Sequence, residues 1–306
     1  MRNRFLGSLL GLACGDAVGT TVEFRPRGSF KPVTDMIGGG PFSLNPGEWT
    51  DDTSMALCLA VSLLDTKGFD PRDQAERYCR WRDEGYLSSN GICFDIGNTI
   101  AGSLLRFDVT GDPLSGSVSP RSAGNGSIMR LSPVPMFYIE SPEAAVYYSA
   151  ESSRTTHGAQ EAVDGCRLFG MMIAKALLGS SKEMILFDSQ ESWLDKDTLS
   201  PKIKQIADGS YRDREENDIR GSGYVVDSLE AALWSFYHTE DFRGAILRAV
   251  NLGDDADTTA AVCGQLAGAY YGVTGIPDEW LSKLAGRDLI ETLASRLYEE
   301  RYLPSP

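Results

Sequence analysis

Two short acidic clusters carry the chemistry that this chain advertises. Thr50, Asp51, Asp52 and Thr53 form one; Asp254, Asp255, Ala256, Asp257 and Thr258 form the other. Carboxylates crowded into one site repel, and at ~4 Å and an effective dielectric of ~20 each like-charged pair costs on the order of 4 kcal/mol. A cation relieves that cost, and hard oxygen ligands suit magnesium, manganese or calcium. Taken singly, each cluster also reads as a helix N-cap, where Thr or Asp ahead of an apolar run contributes ~1 kcal/mol. A cap needs one side-chain oxygen, however, and each cluster offers several. A metal site therefore follows if the two clusters meet in space.

Periodicity is helical almost throughout, which predicts an all-α, single compact multi-helix domain over residues 1–306. Helices are expected over 4–18, 53–66, 71–84, 97–107, 125–131, 142–153, 159–179, 226–238, 241–251, 258–273 and 288–299. Pro71 and Pro142 mark first turns, and Gly253 marks a stop. The irregular stretches 25–50, 108–124 and 208–223 are long enough to suggest function. Two helices carry small-residue ridges: Gly7, Gly11, Gly15 and Gly19 in one, Ala260, Gly264, Gly268 and Gly272 in the other. Glycine costs about 1 kcal/mol per helical position relative to alanine, so the ridges imply close backbone approach. If they dock, Glu23 is carried towards Asp255 and Asp257.

The formal net charge of −14 argues against nucleic acid or an anionic membrane as partner. Arg2 and Arg4 before an apolar segment give a signal-like start, but Asp16, Glu23 and the glycine spacing favour a packed helix and no integral membrane association. Six scattered cysteines without a C-x-x-C pair point to a reduced, cytoplasmic setting. With only two histidines, a His-rich or Cys-rich zinc site is excluded. Neither a P-loop nor a nucleophile elbow is present.

Gly11–Gly19 with Asp16, Val22-Glu23-Phe24, Pro46–Met55, Asp95-Ile96-Gly97-Asn98-Thr99, Gly124–Arg130, Thr156-His157, Gly223–Asp227 and Asn251–Thr258 together resemble the ADP-ribosylglycohydrolases, in particular the bacterial dinitrogenase reductase-activating branch. The resemblance runs in order from about residue 5 to residue 285. It implies an all-α hydrolase that cleaves ADP-ribose from a protein side chain at two divalent cations, Mg2+ or Mn2+. Carried over residue by residue, it makes Thr50, Asp51, Asp52, Asp255, Asp257 and Thr258 metal ligands. Glu23 becomes a further carboxylate at or beside the metals. Asp95 and Asn98 fall near the ribose, Gly124, Asn125, Gly126, Ser127 and His157 line the phosphate and ribose pocket, and Tyr224 contacts the adenine side. Asp254 departs from the pattern, standing where relatives often carry glycine.

Such an inventory suits hydrolysis through an oxocarbenium-like state, with carboxylates stabilising charge and one accepting a proton from water. Asp51 or Asp52 is expected to be indispensable, and Asp95 and Glu23 compete for the acid/base role. The expected substrate is mono-ADP-ribosylated protein modified on arginine, acted on by a monomer. Serine-linked or O-acyl ADP-ribose, or non-catalytic ADP-ribose binding, are the alternatives. On residue type alone Asp16 is structural, Gly124–Ser127 is a turn and cap, and His157 and Tyr224 are equally at home in a core.

Overall fold

The computed structural model describes residues 1–187 and 193–300; 188–192 and 301–306, part of the domain expected over 1–306, lie outside the described residues. Among the described residues fourteen α-helices make up most of the structure. They are α1 (Arg2–Gly19), α2 (Asp51–Thr66), α3 (Pro71–Glu84), α4 (Asn98–Thr110), α5 (Pro133–Phe137), α6 (Pro142–Arg154) and α7 (Gln160–Leu178). There follow α8 (Lys182–Phe187), α9 (Pro201–Ala207), α10 (Val225–Tyr237), α11 (Phe242–Val250), α12 (Ala256–Tyr271), α13 (Asp278–Lys283) and α14 (Arg287–Glu300). The only sheet among the described residues is a two-residue antiparallel pair, β1 (Arg25–Pro26) with β2 (Gly253–Asp254). The protein is all-α, as the periodicity predicts.

The fold is organised around α1 and α12. Nearly every α1 side chain from Phe5 onward is buried, as a helix that is apolar all round requires. By length and composition α1 would pass for a membrane span, yet its apolar stretch is enclosed by the fold. The glycine ridges explain the enclosure. A Cβ on Gly7 would lie 2.2 Å from the Gly268 carbonyl oxygen, on Gly11 2.4 Å from that of Gly264, and on Gly15 2.2 Å from that of Ala260. The two backbones touch directly, and a methyl group at these positions would force them apart.

Helix starts follow local chemistry. Asp70 accepts from the Arg72 and Asp73 N–H groups ahead of α3, and Ser141 from Ala144 N–H ahead of α6, each with proline in the first turn. The expected helix over 125–131 does not form; the segment is a series of turns. Pro133 and Pro135 keep a helix from running on through this segment, because they remove the N–H donors that would serve the carbonyls of Met129 and Leu131. Gln265 of α12 stands in: its side chain donates to Ile128 and Met129 carbonyls (3.0 and 2.7 Å) and accepts from Ser132 N–H (2.7 Å).

Candidate active site

Each acidic cluster opens a helix, and the α1–α12 contact brings the two openings together. Thr50 immediately precedes α2, with Asp51 and Asp52 in its first turn; Asp255 precedes α12, with Asp257 and Thr258 in its first turn. The Thr50 hydroxyl lies 3.3 Å from Asp52 Oδ2 and 3.4 Å from Asp257 Oδ2. Thr258 Oγ1 donates to Asp52 Oδ2 at 3.3 Å. The distant clusters are thus one cluster in space.

Glu23 enters from the end of α1. Its neighbour Phe24 donates its N–H to the Asp254 carbonyl at 2.7 Å, and Arg25 pairs with Asp254 across β1 and β2. Oxygens of Glu23, Asp95 and Asp257 all lie within 4.8 Å of one another, as do oxygens of Asp16, Asp52 and Asp257. Asp95 arrives on the segment ahead of α4 in a left-handed conformation, φ +61°.

Burial and mutual repulsion govern the protonation of these groups. Desolvation first, then neighbouring carboxylates, push Asp51, Asp52 and Asp257 well above the ordinary carboxylate range. The same causes, in the same order, raise Glu23 to about 9 and Asp95 to about 7. Asp255 is raised too, chiefly by burial, although Asn125 Nδ2 donates to its Oδ2 at 2.7 Å. Three buried carboxylate oxygens, on Glu23, Asp52 and Asp257, have no hydrogen-bond partner. Orphaned anionic oxygens in a shared low-dielectric space are what a divalent cation would satisfy.

Asp16 sits among them but is already saturated. One oxygen accepts from the N–H and hydroxyl of Thr50 (2.9 Å each), the other from the N–H and hydroxyl of Thr53 (3.0 and 2.6 Å). It caps α2 from across the molecule, which makes it a tether for the first cluster rather than an open ligand. That agrees with the structural reading of Asp16 from residue type.

These carboxylates floor a cavity of about 720 Å³, walled by Glu23, Asp51, Asp95, Asn98, Gly124, Asn125, Gly126, His157, Asp254, Asp255 and Thr258. Its size suits a nucleotide-scale ligand. Among the described residues, the wall contains no lysine or arginine. Asp52 and Asp257 lie buried behind it. His157 is buried beneath the glycine loop, where a Cβ on Gly126 would come within 2.8 Å of its ring. Burial, with the nearby Arg130 charge, lowers its pKa to about 3 and keeps the ring neutral.

Two expected residues sit differently. The Ser127 hydroxyl turns inward, 2.9 Å from Ser153 Oγ, so the serine braces the loop from behind. Tyr224 stands at the edge, its backbone bridged to Gly124 and its hydroxyl bonded to Glu161 and Lys202. Sequence reasoning did not single out Met129, Ile96, Ile100 and Ser222, which also line the cavity. It also assigned no role to Arg130, which is fully buried, donates to Gly126 O (2.8 Å) and Thr156 Oγ1 (2.6 Å), and stacks over Tyr78. None of these has a spacing signal that would have marked it.

Comparison with known proteins gives the same answer as the geometry. The family model described as ADP-ribosylglycohydrolase matches residues 1–306. The chain belongs to the ADP-ribosylglycohydrolase family. It is 47% identical to ADP-ribosylarginine hydrolase Tri1 of Pseudomonas putida (strain GB-1), over 97% of this chain and 78% of that protein. It is 33% identical to the ADP-ribosyl-[dinitrogen reductase] glycohydrolase of Rhodospirillum rubrum, over 93% of this chain and 91% of that one. A solved ADP-ribosylglycohydrolase-related protein complex superposes with a TM-score of 0.86 at 42% identity, covering 98% of both chains. As a member of this family the chain is a glycohydrolase, and the resemblance carried by its sequence motifs is upheld.

Proposed function

We propose that this protein is a divalent-cation-dependent hydrolase that removes ADP-ribose from arginine side chains of mono-ADP-ribosylated protein, acting as a single domain over residues 1–306. The observation that carries the cation dependence is the set of orphaned oxygens on Glu23, Asp52 and Asp257, beside a cavity that no lysine or arginine among the described residues lines. The arginine linkage is supported by the names of relatives 47% and 44% identical, both ADP-ribosylarginine hydrolases.

In this reading Thr50, Asp51, Asp52, Asp255, Asp257 and Thr258 hold two cations, Mg2+ or Mn2+. Bound there, the cations would supply Lewis acidity toward ribose oxygens and water. The remaining work falls to the chain itself. Asp95 and Glu23, whose oxygens lie within 4.8 Å of one another at the cavity, are the competing acid/base groups. One of the two takes the proton from the water that attacks the anomeric carbon; the C–N bonding pair leaves with the arginine guanidine, which ends as the protonated guanidinium, and ADP-ribose carries the new hydroxyl. The surrounding carboxylates favour the oxocarbenium-like state. Asn98 and the Gly124–Gly126 loop, backed by neutral His157, seat the nucleotide; the Gly124 and Asn125 N–H groups are bonded to the Ser122 and Gly223 carbonyls, so they hold the loop in shape against the ligand.

The test is release of ADP-ribose from an arginine-modified protein, with serine-linked and O-acyl substrates run beside it. With magnesium or manganese, release is expected from the arginine linkage and lost on chelation. The double variant Asp51→Asn, Asp52→Asn is expected to lose about a hundredfold or more. Full activity in that variant refutes the mechanism, and turnover confined to another linkage refutes the substrate.

A further inference from the structure

Two left-handed residues stand side by side at the cavity wall, and neither is glycine. Phe24 has φ +61° and is 64% exposed; Asp254 has φ +56° and is also exposed. The 2.7 Å bond from Phe24 N–H to the Asp254 carbonyl locks them together, and both line the cavity. A bulky residue in this region carries strain. Burial does not repay it here, because the phenyl ring faces outward.

Behind Phe24 runs an aromatic row. Its ring meets Phe42 edge-on at 6.5 Å, and Phe42 meets Phe94 at 5.2 Å. The row therefore reaches from the neighbour of Glu23 to the neighbour of Asp95. Asp254 has no ion-pair partner among the described residues. The nearby Arg25 is engaged elsewhere, donating to Ser29 O and lying over Phe30. An exposed ring beside an unpaired carboxylate, opening onto an acidic cavity, has the chemistry that holds a guanidinium: an aromatic surface for its plane and an oxygen for its N–H groups.

We propose that Phe24 and Asp254, backed by Phe42 and Phe94, form the acceptor subsite, which holds the modified guanidinium and the peptide next to it while the nucleotide fills the cavity. This rests on the arginine reading above and assigns the residues that would enforce it. A glycine at position 254 would keep the left-handed backbone and lose the carboxylate, so the side chain of Asp254 is the part of this wall that can be tested by itself.

Steady-state kinetics on an ADP-ribosylarginine peptide and an ADP-ribosylserine peptide, with calorimetric titration of free ADP-ribose in magnesium, test the assignment. Phe24→Leu and Asp254→Asn are each expected to raise KM for the arginine peptide about 3- to 10-fold. Free ADP-ribose affinity should hold within about twofold, and Phe24→Tyr should retain wild-type KM, since a phenol keeps the aromatic face. Asp254→Gly suits the left-handed backbone and keeps the test readable if Asp254→Asn folds poorly. Unchanged KM in the variants overturns the subsite. So does an equal loss of free ADP-ribose affinity, which would make these residues part of the nucleotide wall. A wild-type protein inactive on the arginine peptide overturns the arginine reading, and the subsite with it; the unmutated control separates that outcome from the others.

Discussion

Asp257 belongs to both groups of converging carboxylates, so removing its charge should have opposite effects with and without a cation. Its oxygens lie within 4.8 Å of oxygens on Asp16 and Asp52 on one side and Glu23 and Asp95 on the other. At that distance a fully ionised pair costs about 3–4 kcal/mol at a dielectric of ~20. Protonation dissipates much of this, because these groups are pushed to hold protons. A residual gain of about 1–3 kcal/mol is therefore expected for Asp257→Asn at pH 8 without metal. For a chain of this size that is a rise of roughly 2–5 °C in Tm. With cation at about a hundred times its Kd, the wild type should instead gain ~2.7 kcal/mol, and the variant little.

Calorimetric melting in chelator and in manganese, at several pH values, measures both effects. The pH dependence has a definite sign. Glu23 (about 9) and Asp95 (about 7) hold protons in the folded protein that the unfolded chain releases near pH 4. Between those values the folded state binds more protons, so metal-free stability falls as pH rises from about 4 to 9. The manganese increment should grow over the same window, since ligands must ionise to bind. If Asp257→Asn lowers the metal-free Tm and leaves the manganese increment intact, Asp257 is a structural residue and the reasoning fails.

Two further changes probe the scaffold. Asp16→Ala removes all four hydrogen bonds that Asp16 accepts from Thr50 and Thr53; a loss of about 1–3 kcal/mol by denaturant melting and weaker manganese binding by titration calorimetry are expected. Gly11→Ala places a methyl 2.4 Å from the Gly264 carbonyl oxygen; overpacking of this kind costs about 1–3 kcal/mol. Because it spreads α1 from α12, it should also reduce manganese affinity although residue 11 touches no ligand.

Much of this site was legible because its signals are local or periodic. The acidic clusters are contiguous, and the glycine ridges recur every fourth residue, so their docking and the approach of Glu23 to Asp257 could be inferred together. Helices α2, α3, α6 and α7 begin within about two residues of their expected starts for the same reason. What escaped is non-local or short. Helices α5, α8, α9 and α13 span five to seven residues, too few for a period to register. The turn series at 125–131 is decided by prolines downstream and by Gln265 from another helix. Asp16 caps a helix 34 residues away, which no capping pattern reveals. The left-handed backbones of Phe24, Asp95 and Asp254 leave no mark in residue type.

The convergence of two helix starts poses an electrostatic question that fixes what the site must bind. The N-termini of α2 and α12 both face the cluster, and each offers the partial positive charge of a helix end, worth about 0.3–1 kcal/mol and at most ~2 in partly buried settings. Repulsion of about 3–4 kcal/mol per close pair exceeds that contribution several times over. Protons make up part of the difference, but a pKa near 7 leaves Asp95 about half ionised at neutral pH. The chain also cannot relax by moving apart, because Gly7, Gly11 and Gly15 set α1 against the α12 backbone with no side chain between them to repack. A rigid frame that holds carboxylates this close keeps them protonated when empty and could be neutralised by divalent cations instead. Its glycines are then as necessary to the chemistry as its aspartates.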